Sequence, residues 1–413
     1  MLRKILLSGI LILGLGAQTL AMAQTDPTPV PPPEDRVIRV WYADEMIVQD
    51  AETLLQTLAE QQTQFNQLTT EFSADIRLKP SRGDGSIVNT LIVAQPVASS
   101  AMPDLVLLDR RALVEGVRSG VLRPLTDWFP DELRTEIVAS ALALGQVDGT
   151  LYGIPYGLDV QHLIYNMDEI ETPPAAYDDI LQNPARFVLP AATRENLEAS
   201  DMILAQYLAA GGRLVDTAGL PILDQEPLLD VLGFYESALA LGVFNIDMLN
   251  YSVPADYLAQ LVLDETPLMV TTARAQIQQR SPAHYGMAPL PTTNGEPLVI
   301  LDGWLWALTT TDPEQQRGAL AFVEYVLGIE AHADNSMAFG TVPSRERALR
   351  IWFDDAYAEQ LLTWLDTSLI IPTEQRNNAA ATQIQAAFEA VLSGTTASEA
   401  TESVLSALSS STN

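Results

Sequence analysis

Residues 147–166, VDGTLYGIPYGLDVQHLIYN, read as a turn, a short strand and a second strand that runs out into a loop. Asp148-Gly149 is a turn dipeptide, and Pro155 halts any local helix. Asp159 then interrupts an otherwise apolar strand. A carboxylate inside an apolar run costs free energy unless something pairs with it. Solvent at a sheet edge supplies one such partner, and a bound polar molecule supplies another.

Upstream, residues 37–42 (VIRVWY) alternate as a first strand, followed by Asp44-Glu45. Residues 51–72 then predict a helix, with Leu54, Leu55, Leu58 and Phe65 at near-helical spacing. Ile76-Arg77-Leu78 is a second strand, 89–94 fits a helix, and 104–108 (DLVLL) is a continuous apolar run of the kind parallel sheets bury. Strand, helix, strand, helix, strand implies a doubly wound α/β lobe. Ligands of such lobes sit beyond the carboxyl ends of the strands. Asp109-Arg110-Arg111 lies just beyond one such end.

Taken together, these blocks resemble the sugar-binding, maltodextrin-binding-like (family 1) extracellular solute-binding proteins of ABC importers. Residues 147–166 resemble that family's "DG-x-x-YG-[IL]-P" signature with its downstream acid and "YYN" ending. PDLVLLDRRALVEGVRSGVLRPL (103–125) is similar to its "PD…G-x-L-x-P-L" block. ILAQYLAAGGRLVDTAGLPILD, YGMAPLPTTNGEPLVILDGWLWAL, GALAFVEYVLG, TVPSRERAL and FEAVLSGTTASEATESVLSAL follow in family order. The resemblance implies a two-lobed periplasmic-binding-protein fold of type II, each lobe a mostly parallel sheet flanked by helices, with a ligand cleft at the hinge. It further implies a first lobe of residues 36–157 and 305–343 and a second of 158–304 and 344–404, with 405–413 as a tail. Crossings near 157, 304 and 343 would form the hinge, and closure about a ligand is the implied motion. Relatives use an Asp-Arg pair in the 109–110 loop on sugar hydroxyls, which implies Asp109 and Arg110 as ligand residues. Asp159 would likewise take hydroxyls.

The amino terminus carries Arg3 and Lys4, an apolar run at 5–15, and Ala21-Met22-Ala23 before Gln24. That is the form of a secretory signal peptide in residues 1–23, too short for a comfortable membrane span. A proline-rich acidic spacer, 24–35, follows. There is no cysteine, so a lipid-anchoring cysteine, disulfides and thiolate zinc sites are excluded. The expected product is an exported, freely diffusing monomer. Its net charge is −31, which loss of Arg3 and Lys4 takes to −33, and no basic stripe offsets it. Such a surface repels nucleic-acid phosphates and does not steer anionic solutes inward.

His162, His284 and His332 are too scattered for metal spacing, and no nucleophile elbow, phosphate loop or dinucleotide fingerprint is present. No cofactor or metal is expected. Carboxylate pairs such as Glu45 and Asp109 leave open a secreted polysaccharide-active enzyme as the alternative class. The aromatic residues point elsewhere. Sugar rings present C–H faces and a hydroxyl rim, so their sites pair aromatic platforms with carboxylates and arginine. Trp41, Tyr42, Tyr156 and Trp304 are the candidate platforms, and each has a core reading beside its ligand reading. Trp306 shares a strand face with Trp304. Arg274 stands where family members often carry a nearby tryptophan. It either binds an acidic sugar or peptide carboxylate, or pairs with a structural acid. The 193–196 stretch falls where the second lobe's ligand loop is expected. The expected partners are a small polar solute, foremost a mono- or oligosaccharide, and an ABC permease. A polyamine, peptide or organic acid remains open as solute in the same fold, and a sensory partner role remains a further class.

Overall fold

The computed structural model describes residues 36–46, 51–95, 97–98, 101–193, 199–257, 267–272, 285–352, 355–376 and 378–411. The expected signal peptide and spacer, Arg274, His284 and residues 194–196 lie outside that set. Strands β1 (Val37–Ala43), β2 (Ser73–Lys79) and β3 (Leu105–Asp109) are parallel, with β1 in the middle. Leu105, Val106, Leu107 and Leu108 are all buried, as a strand covered on both faces requires. Helices α1 (Ala51–Leu68) and α2 (Ile87–Ala94) connect these strands.

In α1, Leu54, Leu58 and Phe65 form the buried stripe, while Leu55, expected among them, faces outward. The helix also stops short of 72. Phe72 turns into the core, and the Asn66 side chain accepts the Ala74 N–H at 2.7 Å, starting β2. α2 begins at Ser86, whose hydroxyl accepts the Asn89 N–H. After β3, Asp109 caps α3 (Arg110–Arg118) in the same way, accepting the Ala112 N–H at 2.7 Å.

The decisive stretch folds as read at its start. β4 (Gln146–Val147) and β5 (Thr150–Leu151) form a hairpin over Asp148 and Gly149, with φ of 49° and 76°. Two positive φ values match the turn type that a tight hairpin needs. The next strand, β6 (Ile154–Asn166), is 13 residues long. β6 pairs antiparallel with β10 (Ile300–Leu308), then with β8 (Leu268–Thr272) and β9 (Tyr285–Ala288). The sheet order is β2-β1-β3-β10-β6-β8-β7, where β7 (Phe187–Val188) lies parallel to β8. β11 (Val342–Pro343) also pairs with β6. Opposite Trp304 and Leu305, β6 spends three residues, Gly157, Tyr156 and Pro155, so Tyr156 is the extra residue of a bulge. Pro155 sits at that bulge, where its missing N–H does least harm. Gly157 is required by close approach, since a Cβ there would come within 2.6 Å of Thr341 Oγ1 on the way into β11.

Two large apolar cores flank this sheet. The first holds Val40, Leu107, Leu113, Trp306 and Phe322, and the second Leu163, Tyr207, Tyr235, Ile384 and Phe388. β6 passes from one to the other, with Val160 in the first and Leu163 in the second. β10 does so between Ile300 and Leu301. The third passage differs from the expected position near 343. Leu349, Tyr357, Ala358, Leu361 and Leu365 all pack in the first core, and Ile371 begins the return to the second. Apolar residues at helical spacing in 346–366 satisfy either core equally well in sequence. The final helix, Ala397–Ser411, keeps Leu408 in the second core, so 405–411 is packed helix and not a tail.

Candidate functional site

The carboxyl ends of β1, β2 and β3 converge, and each strand hands over a polar residue there. Asp44 Oδ1 accepts the Ser81 N–H at 2.9 Å and its hydroxyl at 2.8 Å, which ties the loop after β2 to the end of β1. Glu45 pairs with Arg82 at 3.0 Å. Between this loop and α3 lies a cavity of about 180 Å³, lined by Ser81, Arg82, Asn89, Asp109, Arg111 and Glu115, among others.

β10 runs between β3 and β6 beside Asp109. Trp304 lies in register with Asp109 on one side and with Gly157 on the other. Asp302 lies directly opposite Asp159, so two carboxylate-bearing residues face each other across one ladder. Asp302 accepts a hydrogen bond from Arg376 Nη2 at 3.2 Å, and Arg376 Nε stands 3.2 Å from Asp201 at the start of the helix Asp201–Ala209. Burial pushes the Asp109 carboxyl above the usual carboxylate range. The Ala112 N–H pulls it back, Asp302 pushes it up, and Arg82 and Arg376 draw it down. What results is a polar rim with hydrogen-bond acceptors and guanidinium donors around one half-buried carboxylate. That equipment suits hydroxyl groups.

Of the residues expected to serve a ligand, Asp109 lines the cavity, Glu45 pairs with the lining Arg82, Asp159 lies opposite Asp302, and Trp304 lies in register with Asp109 while belonging to the first core. Trp304 is 8% exposed. Four others are placed differently. Tyr42 is in the core, its hydroxyl donating to Gln61 Oε1 at 2.7 Å and its ring edge-on to Trp306 at 4.9 Å. Tyr156, the bulge residue, is fully buried and stacks on His332 at 5.0 Å. The extra residue of the bulge turns it inward, and the platform reading is corrected for both tyrosines. Arg110 donates to the carbonyls of Ala143, Leu144 and Gln146, clamping the segment that runs into β4 rather than lining the cavity. Trp41 is buried, with Lys79 Nζ 4.8 Å from its ring. Trp306 is core as well.

Arg82, Asp302 and Arg376 were not singled out in the sequence. Asp302 had a signal, since it immediately precedes Gly303-Trp304. Arg376 sits in a turn with none. The two described histidines, His162 and His332, are buried, and burial lowers each to about 4. Among the described residues no group of His, Asp and Glu could hold a metal ion, and no helix is long and apolar enough to cross a membrane.

A mixed α/β sheet shared by two cores, with a polar rim beside the strands that join them, defines the two-lobed binding-protein architecture. The sequence matches the family of bacterial extracellular solute-binding proteins over residues 62–362, and the chain belongs to that family. Solved structures agree on the fold. A maltose-bound MalE3 of T. maritima superposes with a TM-score of 0.68 at 20% identity, covering 90% of this chain and 99% of that one. The sugar-binding protein MalE of Xanthomonas citri gives 0.68 at 17% identity, covering 90% and 96%. An ABC transporter solute-binding protein of Thermotoga lettingae, bound with alpha-D-tagatose, gives 0.67 at 17% identity, covering 90% and 98%. No curated protein matches the sequence significantly.

Proposed function

We propose that this protein captures a small hydroxyl-rich solute, a mono- or oligosaccharide, between its two lobes and passes it to an ABC permease. The observation that carries this reading is the rim at the ends of β1, β2 and β3. There Asp109 and its neighbours, with Trp304 in register, sit beside the two strands that join the cores. The structural neighbours are described as bound to maltose, mannobiose and alpha-D-tagatose, which supports a sugar as the solute class. The role is binding without catalysis, as a monomer exported through cleavage after Ala23.

The test is a thermal-shift and calorimetric panel of maltose, mannobiose and D-tagatose beside spermidine and a tripeptide. A sugar held at a hundred times its dissociation constant raises stability by about 2.7 kcal/mol. A panel in which only the polyamine or the peptide stabilises the protein moves the solute to that class. Small-angle scattering should show a smaller radius of gyration with the bound sugar, unless the empty form is already closed.

A further inference from the structure

The buried arginine behind the rim belongs to no block that carried the family resemblance, yet the rim depends on it. Arg376 follows the turn Thr373–Gln375, which packs against α3, the helix that Asp109 caps. Its side chain is 6% exposed and that of Asp201 3%, whereas the Asp302 side chain is 25% exposed. A buried guanidinium needs paired carboxylates, and one with two of them at 3.2 Å is fixed in place. One of those carboxylates comes from a helix of the second core, the other from the strand that joins the cores.

We propose that Arg376 is a positioning residue of the solute site, anchored on Asp201 and holding Asp302 beside Asp109, so that Asp109 stays available as an acceptor for solute hydroxyls. Without it, Asp302 would face Asp159 across the ladder and Asp109 beyond the strand end with a pairing partner lost. Losing that guanidinium leaves Asp109 easier to protonate, since Arg376 draws its carboxyl down while Asp302 pushes it up. A protonated Asp109 donates where it formerly accepted. The charged groups that act on it are Asp302 from β10, Arg82 from the loop after β2 and Arg376 from the turn after residue 375, and Arg111 and Glu115 of α3 line the same cavity. In this network Arg376 acts on the solute only through the two aspartates.

This inference rests on the solute reading above for what Asp109 does, but its first test needs no solute. Carboxyl-carbon NMR of aspartate-labelled, unliganded protein gives the titration midpoint of Asp109. Removing Arg376 alone would strand Asp201, so the informative variant is the double exchange Arg376→Gln with Asp201→Asn. It should raise the Asp109 midpoint by roughly one unit, the low end of what a neighbouring charge contributes. Asp302→Asn leaves Arg376 on Asp201 and should move the midpoint down. An Asp109 midpoint that stays put in the double variant overturns the proposal. The second test follows affinity against pH for whichever of maltose, mannobiose and D-tagatose binds wild type most tightly. The acid limb of that profile should move with the Asp109 midpoint in both variants. If the midpoint moves while affinity ignores it, the electrostatic link holds and the placement of the solute on Asp109 is what fails.

Discussion

The β6–β10 pair is one ladder with two unlike ends. At one end Trp306 and Tyr156 are fully buried, wedged among Tyr42, Phe322 and Phe339, with His332 stacked on Tyr156. At the other, two residues along β10, Trp304 lies in register with Asp109, and two further on Asp302 faces Asp159. Asp302, Trp304 and Trp306 alternate onto the same face of β10, so side is not what separates them. Depth is. Phe322 and Phe339, from the helices Pro313–Val326 and Ile329–Phe339, cover the Trp306 end. The other end runs out toward the second core, where carboxylates take over. A strand's periodicity tells which residues share a face, and only the packing of neighbouring elements tells which of them a solute can reach.

The largest effect that should separate the two ends is Trp306→Ala. Truncating a fully buried aromatic costs about 3–5 kcal/mol in transfer and cavity terms. Chemical unfolding should show that loss, while sugar affinity per folded molecule stays at the wild-type value. A variant that folds as stably as wild type but binds poorly would put Trp306 in the site and erase the contrast.

Next in size is the acid response of the buried end. His332 Nε2 donates to the Tyr156 carbonyl at 2.7 Å, and its Nδ1 is buried with no hydrogen-bond partner among the described residues. Burial holds the ring neutral, with its folded value lowered to about 4 against 6.5 for the free side chain. The unfolded chain therefore binds the proton first as pH falls. The contribution of His332 is intact above about 6.5 and drains away as pH drops toward 4, by about 1.4 kcal/mol per unit. His162 acts in the same direction, while Asp104, raised to about 6 by burial, gains as pH falls and opposes both. Comparing wild type with His332→Gln cancels these shared terms. Across pH 6.5 to 4 the wild type should lose about 3 kcal/mol more than the variant. Parallel stability curves would mean that His332 is solvated.

The contrast also marks what could be read from the chain. β1, β2, β3 and the Asp148-Gly149 hairpin were legible because short-range pattern determines them. The place of Asp109 at the end of β3 was legible for the same reason, while its capping of α3 was not. Tyr156 was misread because a bulge inserts one residue, and one residue reverses which way a side chain points. Residues 346–366 were assigned to the wrong core because an amphipathic helix announces a buried face without naming its partner. Arg376 was invisible for a related reason. An arginine in a turn of so acidic a chain has dozens of candidate partners, and only the fold selects Asp201 and Asp302.

At the rim end, Asp159→Ala should act on binding. Removing a hydrogen bond to a charged acceptor costs roughly 1.5–3 kcal/mol, or between about tenfold and about a hundredfold in affinity. Its melting temperature without sugar should move little, because the residue is only partly buried. A variant that melts early and binds normally would make Asp159 a structural acid and leave Asp109 without its companion across β10.

The smallest effect, and the sharpest on the comparison, is Trp304→Ala. At 8% exposed, Trp304 is nearly as hidden as Trp306, and burial alone would class them together. Its neighbours in register are Asp109 and a glycine, not a wall of aromatic rings. If its ring meets a sugar face, truncation removes about 0.5–1.5 kcal/mol of ring-specific contact plus some apolar area. Affinity for the best sugar of the panel should then fall about tenfold, since about 1.4 kcal/mol is a factor of ten. The same change should cost less folding stability than Trp306→Ala. The ratio of the two effects decides the matter without any absolute value. Should Trp304→Ala match Trp306→Ala in lost stability and leave affinity alone, the ladder has one character along its whole length. The solute would then have to be sought nearer the Ser81–Arg82 loop, where the cavity beside Asp109 opens without any aromatic wall.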